Sequence, residues 1–152
     1  MTVKSSSALE TKKLAGVVVL KILRAPTKKN KAFIIKLNGE LGAGKTTFTQ
    51  GFAKALGVSH HITSPTFVIM RRYGLKKNKK YENLYHIDAY RMKRLKEMHP
   101  LNIKEVLTNP KNIVLVEWAK NIEGSLLRGS ASIKFAHGKT ENERVISTSL
   151  LK

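Results

Sequence analysis

A glycine-rich octet in the first third of the chain has the residue types that bind phosphate. It reads Gly39-Glu40-Leu41-Gly42-Ala43-Gly44-Lys45-Thr46 and matches the pattern G-x-x-x-x-G-K-[ST]. Glycine lets backbone N–H groups wrap a phosphate, a lysine at this position reaches the β- and γ-phosphates, and the threonine hydroxyl ligates Mg²⁺. The residues predicted to contact the nucleotide are Glu40, Leu41, Gly42, Ala43, Gly44, Lys45, Thr46 and Thr47. This phosphate loop (residues 39–46) thus predicts nucleotide binding, with Lys45 catalytic and Thr46 a metal ligand.

Two acidic residues follow apolar runs and could complete a metal site. An ATPase with such a loop needs a carboxylate at a strand end to hold Mg²⁺ and help orient the attacking nucleophile. Asp88 ends the run at 84–87, and Glu117 ends the run at 113–116. The second run is the more apolar and the more typical of a core strand, so the pattern alone favours Glu117. Either acid could instead bond a neighbouring backbone N–H.

The segments on either side of the phosphate loop have the patterns of a strand and a helix. Residues 32–38 form a short apolar run rich in β-branched and aromatic residues, which predicts a buried strand. From residue 45 onwards, Phe48, Phe52 and Leu56 recur at helical spacing. A dinucleotide fingerprint does not fit, because Thr47 stands where a third glycine is required. The order strand, loop, helix is the one that phosphate binding requires.

The remaining patterns predict alternating helices and strands with no domain boundary, so residues 1–152 are expected to form one domain. A capping box at Ser7 and Glu10 begins a helix at 7–23. The other predicted elements are a hairpin of 66–73 with 81–88, helical turns at 90–98 and 102–107, a strand at 112–117 and a closing hairpin of 132–136 with 145–150.

The composition is that of a globular protein, with 41% hydrophobic and 26% charged residues. Cysteine is absent, which excludes a disulfide framework, a thiolate zinc site and a cysteine nucleophile. Residues 1–13 lack the apolar core of a signal peptide, and the apolar run at 16–23 is short and interrupted by Lys21. We therefore expect a soluble, cytoplasmic protein with no membrane segment.

The formal charge of +19 is the unusual feature of the composition. Basic clusters at 28–31, 76–80 and 91–96 would attract nucleic acid or an acidic partner. A source proteome that favours lysine would give the same excess, and no aromatic residues interleave the lysine runs as a base-stacking surface needs. Contact with tRNA through a basic surface and a merely solvated lysine surface both stay open.

An ordered set of motifs lies at residues 39–48, 64–67, 84–91, 116–118, 135–138 and 144–146. Together these motifs resemble the TsaE family, the P-loop ATPases of the tRNA threonylcarbamoyladenosine pathway. The resemblance implies an α/β, P-loop NTPase-like three-layer fold with a mixed, mainly parallel central sheet, and binding of ATP or ADP with Mg²⁺. It also implies that Asp88 is the main magnesium carboxylate with Glu117 close by, which reverses the order that the pattern favours. Thr66 resembles a switch threonine near the γ-phosphate, and Trp118 a tryptophan beside the nucleotide.

The expected activity is slow ATP hydrolysis, with Lys45 offsetting phosphoryl charge and Asp88 or Glu117 positioning water. No arginine finger is evident in the loop region, so partners are expected to complete the site. The resemblance implies that these partners are the TsaD and TsaB proteins. Two alternatives stay open: a small-molecule kinase with Asp88 as base, and a nucleotide-gated tRNA-binding module.

Overall fold

The computed structural model describes residues 1–65, 69–92, 102–122, 124 and 127–151, and these contain one seven-stranded sheet. The strands are β1 (Thr2–Ser5), β2 (Phe33–Asn38), β3 (Met70–Gly74), β4 (Asn83–Asp88), β5 (Asn112–Glu117), β6 (Ala131–His137) and β7 (Arg144–Thr148). The helices are α1 (Ala8–Arg24), α2 (Lys45–Ala55) and α3 (Ile103–Thr108), with a 3-10 turn at Ala119–Asn121.

The strand order is β1-β7-β6-β2-β5-β4-β3, with parallel strands in the centre and antiparallel strands at both sides. Strands β6, β2, β5 and β4 run parallel, whereas β3, β7 and β1 each pair antiparallel with their neighbours. All six residues of β5 are buried, as the near-continuous apolar run predicts. Because the four central strands are parallel, their carboxyl ends meet at one edge of the sheet. The predicted mixed, mainly parallel α/β fold is confirmed.

Helices cover both faces of the sheet and give it three layers. On one face, Val18 and Ile22 of α1 and Phe48 and Phe52 of α2 pack with Leu115 in one apolar cluster. On the other face, α3 packs in a second cluster whose members include Ile34, Val106, Leu107 and Val116. Since β2 and β5 contribute to both clusters, the strands that end at the phosphate loop and at Glu117 are packed on both faces of the sheet.

The predicted helix boundaries are confirmed where the structure describes them. Ser7 is the N-cap of α1 and its hydroxyl accepts a bond from the Glu10 N–H at 3.2 Å, while the Glu10 carboxylate accepts from the Ser6 N–H at 2.7 Å. Helices α2 and α3 begin and end close to their predicted limits. Within the described segments, no helix is long and apolar enough to span a bilayer.

Both predicted hairpins are present. One strand boundary differs from the prediction, one predicted helical turn falls largely outside the described residues, and one strand was not predicted. β3 and β4 form the first hairpin, although β3 begins at Met70 rather than at 66, and residues 66–68 are outside the described residues. β6 and β7 form the second, with β6 also pairing with β2. The helical turn expected at 90–98 falls largely on 93–101, which is also outside them. The residue pattern did not predict β1, which pairs with β7 and is the outermost strand on that side of the sheet.

Candidate nucleotide-binding site

The phosphate loop connects β2 to α2 with the backbone that phosphate binding requires. Gly39, Gly42 and Gly44 have φ angles of 152°, 74° and 100°, a region that side chains rarely adopt. Gly44 is the N-cap of the 11-residue α2 and has no side chain with which to cap it. The first N–H groups of α2 are therefore open to an anion, and the positive end of the helix dipole faces the same space.

Strand β6 fixes the base of the loop. A Cβ on Gly39 would lie 2.5 Å from the Phe135 carbonyl oxygen, so only glycine allows this approach. The Phe135 ring also packs edge-on against Phe48 of α2, with ring centroids 5.4 Å apart. Both ends of the phosphate loop are thus attached to the apolar core, which orders the loop before any ligand is bound.

Lys45 lies over the loop and is held by the loop's own backbone. Its Nζ donates to the Gly39 carbonyl at 2.9 Å and to the Glu40 carbonyl at 2.8 Å. The same Nζ lies 5.5 Å from the centroid of the Trp118 ring, within cation–π distance. The ammonium is buried, so these contacts replace its hydration.

Asp88 and Glu117 are direct neighbours at the carboxyl ends of β4 and β5, where the strand register pairs them. Each residue is only 4% exposed. Asp88 accepts from the Tyr90 N–H at 2.9 Å through Oδ1 and from the Ser64 hydroxyl at 3.4 Å through Oδ2. Glu117 Oε1 accepts from His86 Nε2 at 2.8 Å. Two adjacent buried carboxylates repel each other, and a cation between them removes that repulsion.

The loop, α2 and the two acids enclose a single cleft of about 480 Å³, which is within the size range of small-molecule sites. The residues that line it are Leu41, Gly42, Gly44, Lys45, Thr46, Thr47, Ser64, Asp88, Tyr90, Glu117 and Trp118. Most residues predicted from the sequence to form the site are therefore brought together. Glu40 instead lines an adjoining cavity of about 230 Å³, Ala43 is buried with its N–H bonded to the Glu40 carbonyl, and Thr66 lies outside the described residues.

Comparison with known proteins gives the family. The model of the family described as threonylcarbamoyl adenosine biosynthesis protein TsaE matches residues 6–146. The chain belongs to the TsaE family. Proteins described as tRNA threonylcarbamoyladenosine biosynthesis protein TsaE include one from Bacillus subtilis, 44% identical over 61% of this chain and 54% of its own length. Those from Haemophilus influenzae and Rickettsia conorii are 34% and 39% identical over 63% and 78% of this chain.

The matched segment spans less than two thirds of each of these relatives, 58% of the Haemophilus protein and 61% of the Rickettsia protein. Among solved structures, the crystal structure of Bacillus subtilis YdiB superposes with a TM-score of 0.67. It is 27% identical and covers 97% of this chain and 83% of its own. The structural similarity to YdiB therefore extends over almost the whole chain, beyond the segments that match these relatives in sequence.

An aromatic pair forms one wall of the cleft in this TsaE chain. The Tyr90 and Trp118 rings meet edge to face with centroids 5.0 Å apart. Trp118 has a φ of 56°, which is uncommon outside glycine and turns the chain directly after β5. Lys120 lies 5.5 Å from the Trp118 ring centroid, the same distance as Lys45. The residue predicted beside the nucleotide is thus in contact with the phosphate-loop lysine.

Three residues near the site were not given a role in the sequence analysis. His86 supports Glu117 from below, His137 Nε2 donates to the Leu41 carbonyl at 3.3 Å, and Arg144 lies beside the loop at Gly44. A Cβ built on Gly44 would be 3.6 Å from the Arg144 Cγ. His137 and Arg144 are register partners in β6 and β7, so the closing hairpin delivers both to the loop. His137 and Arg144 reach the loop because the closing hairpin pairs with β2. Residue patterns along the chain do not reveal that pairing.

Proposed function

We propose that this chain is a Mg²⁺-dependent ATPase that supports tRNA threonylcarbamoyladenosine formation together with the TsaD and TsaB proteins. The observation that carries the proposal is the single cleft in which Lys45 and the open N-terminus of α2 face two adjacent strand-end carboxylates. Phosphate donors on one side and metal ligands on the other are the parts that phosphoryl transfer needs. The relatives are described by the same pathway, and we propose that a protein with this role acts in the cytoplasm.

The donor set in the cleft fits magnesium. Thr46, Asp88 and Glu117 offer only oxygen ligands, which hard divalent cations prefer. The described residues hold no group of three or more histidines, cysteines or acids that could bind a metal by itself. Mg²⁺ is usually held in this way, by one or two carboxylates together with substrate phosphates. When bound, it would neutralise charge on the phosphoryl oxygens.

The residues of the cleft have separable tasks in ATP hydrolysis. The N–H groups at the start of α2 bind phosphate oxygens, and Lys45 exchanges its bonds to the Gly39 and Glu40 carbonyls for bonds to the β- and γ-phosphates. Asp88 and Glu117 orient water and the metal shell. Thr66 is proposed as the switch residue near the γ-phosphate. The Trp118 and Tyr90 wall limits access of bulk water to the cleft.

The described part of the cleft supports a slow reaction that partners accelerate. Arginine is absent from its described lining, so no guanidinium offsets the transition-state charge there. Arg144 is close to the loop, but its Nη1 already donates to the Glu141 and Glu143 carbonyls. Leu41 and Tyr90 are 87% and 57% exposed at the cleft, so both side chains are accessible to a partner that binds over it.

The test is ATP turnover with and without the purified TsaD–TsaB complex. We expect Lys45→Ala to reduce turnover by about 10²-fold or more, whereas Lys54→Ala, an exposed lysine of the same helix, leaves it unchanged. Asp88→Asn and Glu117→Gln should both raise the Mg²⁺ requirement, and the larger effect identifies the main ligand. If the TsaD–TsaB complex neither binds this chain nor changes its ATP turnover, the proposed role in the pathway is wrong. If ADP is released only when a small metabolite is added, the protein is a kinase and the ATPase proposal is wrong.

A further inference from the structure

Four connections lie at the sheet edge opposite the nucleotide cleft, where the parallel strands begin. They are residues 24–32, 75–82, 109–111 and 127–130, which we call the basic pole. Bonds between them hold this edge together: Lys28 Nζ donates to the Gly129 carbonyl at 3.2 Å, Lys80 Nζ donates to the Ala25 carbonyl, and the Glu82 N–H donates to the Lys111 carbonyl at 2.8 Å. The basic pole is therefore one continuous surface of the fold and not a set of separate loops.

Charge is distributed very unequally between the two edges of the sheet. The basic pole contains ten basic residues and one acidic residue, Glu82, in 24 positions. The described connections at the nucleotide edge, residues 39–44, 64–65, 89–92, 118–122 and 138–143, contain three basic and three acidic residues. A general preference for lysine in the source proteome would raise the number of basic residues at both edges alike. The excess at one edge therefore points to a surface that meets a polyanion.

Some of these cations stabilise the fold, and the others are exposed. Lys28 and Lys31 donate to backbone carbonyls of the 127–130 connection, and Lys80 donates to carbonyls at the end of α1. Burial and the neighbouring charge of Lys28 lower the pKa of Lys31, as expected where positive charges are crowded. Lys29, Lys77 and Lys79 are exposed. The basic pole thus consists of exposed ammonium groups on a rigid base.

The apolar residues of the pole identify the kind of polyanion. In the described residues, none of the exposed large hydrophobic side chains belongs to the four connections. They are Met1, Leu9, Val17, Leu20, Leu41 and Tyr90. Met1 precedes β1 at the same end of the sheet, but one such side chain is not the apolar face that membrane insertion needs. Tyr81, the one aromatic residue of the pole, is buried. The pole therefore has no apolar side chain to insert into a bilayer and no exposed ring on which a base can stack. Lysine and arginine without such groups contact phosphate backbones.

We propose that the basic pole binds the phosphate backbone of structured RNA without reading its bases. RNA is favoured over an anionic membrane because the family acts in tRNA modification and because the pole lacks an apolar wedge. The strand β2 separates the pole from the phosphate loop by about 20 Å, since six residues rise roughly 3.3 Å each. RNA bound there leaves the nucleotide cleft open, and this binding does not depend on ATP hydrolysis.

The test is the anisotropy of a fluorescent tRNA transcript titrated with the full chain at several salt concentrations. The pole variant carries Lys29→Glu, Lys77→Glu and Lys79→Glu, and the matched control carries the same charge change at Lys4, Lys13 and Lys139, which are exposed on β1, on α1 and in the 138–143 connection. We expect the pole variant to lose roughly tenfold or more in affinity and its log K against log salt slope to become shallower by about 2 to 3. The control should lose less than about threefold.

Other outcomes would overturn the proposal. Equal losses in both triple variants would show attraction to overall charge only, and an unchanged affinity in the pole variant would exclude the pole as the RNA surface. If the wild type binds vesicles of anionic phospholipid, the pole variant does not, and neither binds RNA, the pole is a membrane surface and the RNA proposal is wrong. Lys45→Ala should bind RNA as the wild type does, so a failure of the ATPase proposal is distinguishable from a failure of this one. Thermal unfolding of each variant confirms that it is folded.

Discussion

His86 Nε2 lies 2.8 Å from Glu117 Oε1, and both side chains are buried beneath the nucleotide cleft. The carboxylate accepts, so Nε2 carries the proton. In the described part of the chain, Nδ1 of the same ring has no hydrogen-bond partner, which costs free energy in a buried site. The single hydrogen bond to Glu117 therefore accounts for a buried histidine at this position. His86 is therefore a positioning residue for an acid of the proposed metal site.

The isosteric substitutions His86→Gln and His86→Asn test this relationship. The Gln amide nitrogen reaches the place of Nε2 and can still donate to Glu117, whereas the Asn amide reaches only the place of Nδ1. We expect Asn to raise the Mg²⁺ concentration for half-maximal turnover by about 10-fold to 100-fold, and Gln to raise it much less. Turnover is measured with TsaD–TsaB present. Equal effects of the two variants on Mg²⁺ would show that His86 acts through packing alone.

Gly51 lies where α2 crosses α1, and we expect Gly51→Ala to destabilise the fold. A Cβ there would lie 2.5 Å from the Lys12 Cα, so the helices must move apart. Overpacking of this kind costs about 1–3 kcal/mol, which exceeds the helix propensity that alanine adds. The control is Gly74→Ala in β3, where a Cβ would meet nothing within 4 Å. Urea unfolding of both variants measures the difference, and a stabilised Gly51→Ala protein would contradict this packing.

Local patterns predicted much of this fold, because the features concerned are contiguous in the chain. The phosphate loop brings its own strand and helix, and the buried run of β5 needs no partner to be recognised. The register between β4 and β5 is not local, so residue patterns could not show that Asp88 and Glu117 are neighbours, and only the family resemblance implied that they lie close together. The same reason hid the place of Arg144 beside Gly44. β1 was missed because Thr2–Ser5 holds one apolar residue and exists through its pairing with β7.

Lys80 caps the carboxyl end of α1, although its sequence context is that of a solvated basic turn. Its Nζ donates to the Leu23 carbonyl at 3.0 Å and also to the carbonyls of Ile22 and Ala25. Cations at this end of a helix bond its free carbonyls and complement its dipole. We expect Lys80→Met, which keeps the length of the side chain, to lower the free energy of unfolding by about 1–2 kcal/mol.

The matched control for Lys80 is Lys79→Met in the same turn, because Lys79 is exposed. Its free energy of unfolding should stay within about 0.5 kcal/mol of wild type. Urea unfolding at low and high salt distinguishes the loss of hydrogen bonds from the loss of surface charge. Salt screens surface charge more than it screens the hydrogen bonds that the partly buried Lys80 donates. Equal effects of both substitutions would show that the turn contributes only through its net charge.

Trp118 is the one tryptophan of the chain and contacts the Lys45 ammonium, which the proposed function requires to move when nucleotide binds. Lys45 Nζ is 5.5 Å from its ring centroid while it donates to the Gly39 and Glu40 carbonyls. Phosphates draw this ammonium towards themselves, which removes a charge from beside the indole. We therefore expect ATP or ADP with Mg²⁺ to change tryptophan fluorescence in a saturable titration.

The two lysines at the Trp118 ring allow this movement to be assigned. Lys45→Ala should alter the starting spectrum and abolish the nucleotide-dependent change. Lys120→Ala removes the other ammonium at 5.5 Å and should alter the starting spectrum but keep the change. Calorimetry of the same samples reports binding independently of the fluorophore. Binding seen by calorimetry in the wild type with a constant spectrum would mean that Lys45 stays on its loop carbonyls, and that the phosphates are held by the N–H groups of α2 alone.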